Sequence, residues 1–213
     1  MDTGKPAQFH NQANQEPSMH HHFYAYMYRL KHIERWSLMR NTTKENVAEH
    51  SFHVALTTHV LCTIANEIFK RAVDTNLAVS IALFHDATEV FTGDIPTPVK
   101  HHNPRILANF REIEQLAAER LVDMVPPALK SIYTPLIHPT QEHQLRKYVK
   151  AADLLDAYLK CTFEVASGNR EFVVAKQQIE GKIKQLEMEE VDYFMTTLAP
   201  SFTMSLDEMS GLE

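Results

Sequence analysis

The chain has 213 residues, with 44% apolar and 23% charged side chains, a formal charge of −6, five glycines and two cysteines. That length suits one domain with a sizeable core. The acidic balance argues against a general nucleic-acid binder, the scarce glycine against a turn-rich sheet protein, and the unpaired spacing of Cys62 and Cys161 against a disulfide framework or a thiolate zinc site. No apolar run reaches the roughly 18 residues of a membrane span, and no basic-then-apolar start suggests a secretory signal, so a cytoplasmic protein is expected.

Residues 1–18 are polar and aperiodic and read as a mobile leader, with one domain over 19–213. His20 to His22 read as a solvated run. Phe23, Tyr26, Met27, Leu30 and Ile33 repeat at three and four, the stripe of an amphipathic helix. Arg35 and Trp36 follow near its end. They read either as a surface arginine and a core tryptophan, or as a guanidinium fork for phosphate beside an indole wall for a sugar or base.

Thr42 and Glu45 have the form of a capping box, with a long helix expected close behind. On that helix Val47, Val54 and Leu61 put His50 on the apolar side, where an imidazole needs a partner. His53 and His59 carry no functional reading. Asp74 can cap the next helix, whose stripe is Leu77, Ile81, Phe84 and Val90 or Phe91. This helix holds ALFHDATEVFTGDIPTP, residues 82–98. His85 and Asp86 are adjacent on its apolar face and costly to bury unless a hydrogen-bonding, ionic or metal partner satisfies them. Glu89 shares their side of the rod at the next turn, or is a solvated carboxylate. Gly93, Pro96 and Pro98 should stop the helix and leave Asp94 and Thr97 in a stiff loop.

Asn103 and Pro104 form an N-cap and first-turn pair for a helix through Ile106, Phe110, Ile113, Ala117 and Leu121, ending before Pro126 and Pro127. A short helical piece can cover 128–137. Thr140 can cap a helix through Leu145, Val149, Ala152, Leu155 and Leu159. Asp153 falls on or near its buried face, and Asp156 is more easily solvated. Further helices are expected from Phe172 to Leu186 and around Tyr193 to Leu198. No β-alternation appears, so the fold class is all-α in a single domain.

His50, His85, Asp86 and Asp153 are thus polar groups on buried faces of three helices. Two imidazoles and two carboxylates suit a first-row divalent ion, and donor softness does not choose among Mn, Fe, Co, Ni and Zn. Their order, H…HD…D, resembles that of the HD-domain phosphohydrolases. The segments RWSLMRN, ENVAEHS, HDATEVFTGDIPTPVK, KAADLLDAYLKC and DYFM…PSF, from about residue 23 to 208, resemble the bacterial HD-domain 5′-deoxynucleotidases.

That resemblance implies an HD-domain helical bundle that removes phosphate from deoxyribonucleoside 5′-monophosphates with a divalent metal (Mn, Co, Zn, Ni, Fe or Mg), usually as a homodimer. Carried over by motif, His50, His85, Asp86 and Asp153 hold the metal, and His50 and Asp153 also reach the substrate. Arg35 and Trp36 orient phosphate and sugar, Glu89 acts in proton transfer, and Asp94, Ile95, Pro96 and Thr97 line the nucleoside side. Two other functions share this pattern. One is an HD phosphohydrolase acting on a cyclic nucleotide, a triphosphate or an alarmone, and the other is a helical metal or ligand sensor without turnover.

Overall fold

The computed structural model of the chain describes residues 21–100, 102–138 and 144–211. The leader 1–18, His20 and the expected Thr140 cap lie outside them. Among the described residues the regular elements are helical, and the one extended pairing is an antiparallel bridge between Glu34 and Asn46.

The first apolar stripe forms two short pieces rather than one helix: α1 (Phe23–Met27) and a 3-10 turn over Leu30–His32. Aromatic side chains lose rotamer freedom in a helix, and no side chain caps α1. Tertiary packing holds it instead, with the Phe23 ring buried 5.2 Å from Tyr133 and 5.9 Å from Phe84. Arg35 and Trp36 therefore lie in an irregular segment beyond the helical turns. It is pinned to the start of the next helix by Arg35 N donating to Glu45 O and Val47 N to Ile33 O.

The long second helix, α2 (Val47–Glu67), starts at Asn46 and not at Thr42. Asn46 Oδ1 accepts from Ala48 N and Glu49 N, and Glu49 Oε2 accepts the Asn46 amide at 3.1 Å, a complete capping box. The Thr42 and Glu45 pattern is equally good on paper, but its side chains are taken elsewhere. Thr42 donates its amide and hydroxyl to Glu164, and Glu45 pairs with Arg35.

Asp74 caps α3 (Thr75–Leu83) as expected, accepting from Leu77 N at 3.0 Å. Its buried face is Ala78, Ile81 and Ala82, while Leu77 stays exposed. The helix then breaks over 84–88 before α4 (Glu89–Thr92), which ends at Gly93 in a positive-φ conformation (φ 71°) open to glycine. Thr97 opens a further turn, α5 (Thr97–Lys100), and is not itself in a stiff loop. Asn103 caps α6 (Pro104–Asp123), and α7 (Lys130–Ile137) follows. The second long helix is α8 (Arg146–Ala166), followed by α9 (Val173–Lys184) and α10 (Glu189–Tyr193). A wide π-type turn, a 3-10 turn and the exposed α11 (Leu206–Ser210) follow.

Helix α2 packs against α3 and α8, and α8 against α9. This contact layer surrounds the main core, which includes Val54, Leu61, Ile81, Tyr148, Leu155 and Phe172. A smaller core holds Phe23, Ala87, Leu121, Val125 and Ile137. Phe84 packs against both, so the break between α3 and α4 carries the chain from one core to the other with His85 and Asp86 at the seam.

Candidate metal and phosphate site

The break has a local cause. Amides of Phe84, His85, Ala87 and Glu89 each donate to the carbonyl three residues back, a tighter winding than an α-helix. His85 Nδ1 lies 2.7 Å from the Ala82 carbonyl, the acceptor that a continuing α-helix would give to the Asp86 amide. His85 and Asp86 are thus not on a regular helix face, and Glu89 is the first residue of the next helix instead of a later turn of the same one.

Three elements converge here. From α2 comes His50, which has no exposed surface. Its Nε2 lies 3.3 Å from His85 Nε2, 3.4 Å from Asp86 Oδ2 and 3.2 Å from Asp153 Oδ1, and His85 Nε2 lies 3.1 Å from Asp86 Oδ2. The distal nitrogens are committed: His50 Nδ1 donates to Asp156 Oδ2 at 2.6 Å and His85 Nδ1 to the Ala82 carbonyl. In neutral rings both Nε2 atoms then present lone pairs to each other and to two carboxylates, an arrangement that repels itself unless a positive charge, a proton or a metal ion, enters.

A divalent ion fits this donor set. Oxygen and nitrogen donors held at about 2.1 Å from one ion sit about 3.0–3.4 Å apart, the spacing of the four pairs given above. Ligand atoms of His50, His85 and Asp153 all lie within 4.8 Å of one another, a grouping that Asp86 does not join. Neutral imidazoles and ionised carboxylates are also the protonation states that such an ion needs. Without one, burial works against charge on His50, yet its hydrogen bonds to Asp153, Asp156 and Asp86 hold the ring well above the ordinary histidine range. Burial likewise opposes charge on Asp86, and His85 and His50 outweigh it, keeping that carboxyl well below the usual carboxylate value. The same attraction would serve a metal.

Arg35 enters from the segment after α1, mostly enclosed. Its Nε lies 2.9 Å from Glu45 Oε1 and its Nη1 3.7 Å from Asp86 Oδ2. The charge of Asp94 acts on both Arg35 and Glu89. Glu89 has a buried oxygen, Oε2, with no protein partner, and burial together with Asp86 and Asp94 pushes its carboxyl up to about 9. Ile95 joins Glu89 in lining a small cavity beside Lys100 and Phe110. Pro96 is half-buried and Thr97 exposed. Trp36 sits at φ 57°, sparsely populated for a bulky side chain, with its carbonyl held by Met39 N and Asn41 Nδ2. Its ring packs 5.5 Å from Phe172, and the indole Nε1 is buried without a protein partner.

Two residues were missed by the sequence reading. Asp156 is buried, not solvated, and faces His50. The signal was present, because Asp156 lies four past Ala152 and three before Leu159, on the stripe that buries α8. Glu45 serves Arg35 and is not a cap, which no spacing indicates.

Residues 22–202 match a family model described as 5′-deoxynucleotidase YfbR-like. The chain belongs to that family. A 5′-deoxynucleotidase from Citrobacter koseri is 48% identical over 191 residues, covering 89% of this chain and 96% of the relative. 5′-Deoxynucleotidase YfbR of Escherichia coli (strain ATCC 8739) is 47% identical over the same shares. Among solved structures, an HD-domain phosphohydrolase from Listeria innocua superposes with a TM-score of 0.76 at 24% identity, over 89% of this chain and 92% of that one. A cyanophage S-2L HD phosphohydrolase bound to dA and one catalytic Zn2+ gives 0.57 at 23% identity, over 85% and 96%. These last two are likenesses of fold. The family, the all-α HD fold and the hydrolase class expected from the sequence all stand.

Proposed function

We propose that this centre hydrolyses deoxyribonucleoside 5′-monophosphates to the deoxyribonucleoside and orthophosphate, using one divalent cation held by His50, His85, Asp86 and Asp153. The observation that carries the metal half is the pair of facing Nε2 atoms, 3.3 Å apart, whose ring protons are both committed elsewhere. Membership of the family supports the substrate half, and the dA-bound cyanophage enzyme of the same fold is consistent with it. When bound, the ion supplies charge neutralisation for phosphate oxygens and a nucleophilic water.

The chain's own residues supply the rest. With the guanidinium held by its ion pair with Glu45, the terminal nitrogens of Arg35 remain to meet phosphate oxygens through charge-assisted hydrogen bonds. A carboxyl titrating near 9 carries its proton at neutral pH, so Glu89 is suited to protonate the leaving 5′ oxygen as the phosphorus–oxygen bond breaks. A cation at Asp86 would draw that value down toward neutrality, nearer the range where an acid catalyst works best. Asp94, Ile95, Pro96 and Thr97 flank the nucleoside side. The Trp36 indole N–H is buried without a protein partner, so it would meet the sugar or base only if the segment that holds the ring shifts on binding.

We also infer a homodimer in the cytoplasm. Exposed Phe52, Leu56, Phe163 and Phe202 on α2, α8 and the last turn support an apolar contact face, and the free thiols Cys62 and Cys161 suit a reducing compartment.

Phosphate release from dAMP and AMP, measured side by side after metal removal and re-addition of Mn, Co, Zn or Mg, tests the reading. Metal-dependent release from dAMP and little from AMP is expected. Equal release from both would remove deoxyribose selectivity. Release of pyrophosphate or triphosphate from larger nucleotides, with none from dAMP, would select a different HD phosphohydrolase.

A further inference from the structure

His50 has no exposed surface, so protein contacts alone set the orientation of its ring. Asp156 Oδ2 lies 2.6 Å from Nδ1, and an ionised carboxylate only accepts, so the ring proton belongs on Nδ1 and the Nε2 lone pair faces Asp153 and His85. His85 achieves the same with a main-chain carbonyl, that of Ala82. The two imidazoles therefore rely on different devices. No side-chain substitution removes the carbonyl, whereas the carboxylate depends on one residue.

Asp156 is itself fixed. It is 5% exposed, and its other oxygen faces His53 Nδ1 at 3.5 Å. It follows Asp153 by three positions, so one face of α8 delivers a metal-facing carboxylate and, a turn later, the carboxylate behind the opposing imidazole. Glu45 is a further acidic group close to this pair, with ligand atoms of Glu45, His50 and Asp156 all within 4.8 Å of one another. Its pairing with Arg35 at 2.9 Å leaves Nδ1 to Asp156.

We propose that Asp156 is the positioning residue that fixes the tautomer and aim of His50 toward the metal centre. It touches neither metal nor substrate and acts through the imidazole alone. The inference rests on reading His50 as a ligand, and it assigns a role to a residue outside the H…HD…D set. Removing such a carboxylate behind a ligating histidine weakens metal binding by about 10–100-fold.

The test is Co2+ titration of ion-free full-length protein, followed by visible absorption and by competition with a chelator, for wild type, Asp156→Ala, Asp156→Asn and His50→Ala. Asp156→Ala should bind about 10–100-fold more weakly than wild type. Asp156→Asn, whose carbonyl oxygen can still accept from Nδ1–H without charge, should fall between them. That partial rescue is something general loosening of the fold would not produce. Asp156→Ala binding as tightly as wild type, while His50→Ala binds weakly, would overturn the role of Asp156 and leave the metal reading standing. His50→Ala binding as tightly as wild type would overturn the metal reading and the proposal with it. Should Asp156→Ala not fold, Asp156→Asn decides, since wild-type affinity with an unaltered Co2+ spectrum there also overturns the proposal.

Discussion

Helix α8 carries charge in two places, and the two are built differently: Lys160, Glu164 and Asp156 are buried, whereas the Asp153 side chain, expected on the buried face, is 43% exposed. Toward its C-terminal end, Glu164 accepts from Thr42, Asn169 and Lys160, and Lys160 also donates to the Thr43 carbonyl. Each charge there faces its complement. Burial works against ionising Glu164, but those donors outweigh it and hold the carboxyl well below the usual range. Two turns earlier, Asp153 and Asp156 meet His50, His85 and Asp86, where acceptors outnumber donors and the nearest cation, Arg35, is already paired with Glu45. The first cluster is complete and ties the segment before α2 to α8. The second is left short of positive charge, and that deficit is what makes it a site.

The largest expected effect comes from the deficient cluster. Asp86→Asn should bring phosphate release from dAMP down to the uncatalysed background with the far-ultraviolet helical signal intact, because it removes a proposed ligand and no core packing. The complete cluster should answer in the opposite sense. Glu164→Ala leaves Lys160 buried without its partner and should cost about 3–5 kcal/mol in urea unfolding, while the folded fraction still binds metal. Adding a divalent ion at one hundred times its dissociation constant should raise wild-type stability by about 2.7 kcal/mol, and the increment should vanish in Asp86→Asn.

With changing pH, the complete cluster and Glu89, which lies beside the deficient one, slope oppositely. Glu89 keeps its proton up to about 9 against an ordinary 4.5, so folding takes up a proton between those values and ion-free stability falls as pH rises through them. Glu89→Gln should therefore gain on wild type as pH rises across that window, and the two should coincide below 4.5. Glu164, with its value lowered, stabilises above its ordinary 4.5, and that contribution is lost as pH falls through the lowered value. Thermal unfolding of both variants across the range checks both slopes.

What the sequence made legible was the part governed by periodicity and local caps. Helices α2, α6 and α8 and the caps at Asp74 and Asn103 follow from apolar spacing and from residues that bond their own backbone. The break at 84–88 was hidden because ALFHDATEVF keeps a helical pattern straight through it. A side chain, His85, takes the carbonyl that would have continued the helix, and periodicity carries no record of that competition. Thr42 was misread for a related reason: a capping pattern is local, whereas its use depends on Glu164, 122 residues away. Asp153 and Asp156 have the same residue type on the same helix, and only the position of His50 separates a carboxylate facing the centre from one behind it. Trp36 has no sequence mark for its left-handed backbone, which the Met39 and Asn41 hydrogen bonds impose.

The most direct test of the central claim is the amount of divalent ion retained per chain after equilibrium dialysis, for wild type and Asp86→Asn, with phosphate release from dAMP measured on the same samples. The account predicts one ion per wild-type chain, little in the variant, and release that rises and falls with the ion bound. Rapid metal-free release by wild type, or full ion retention and full release by Asp86→Asn, would contradict it.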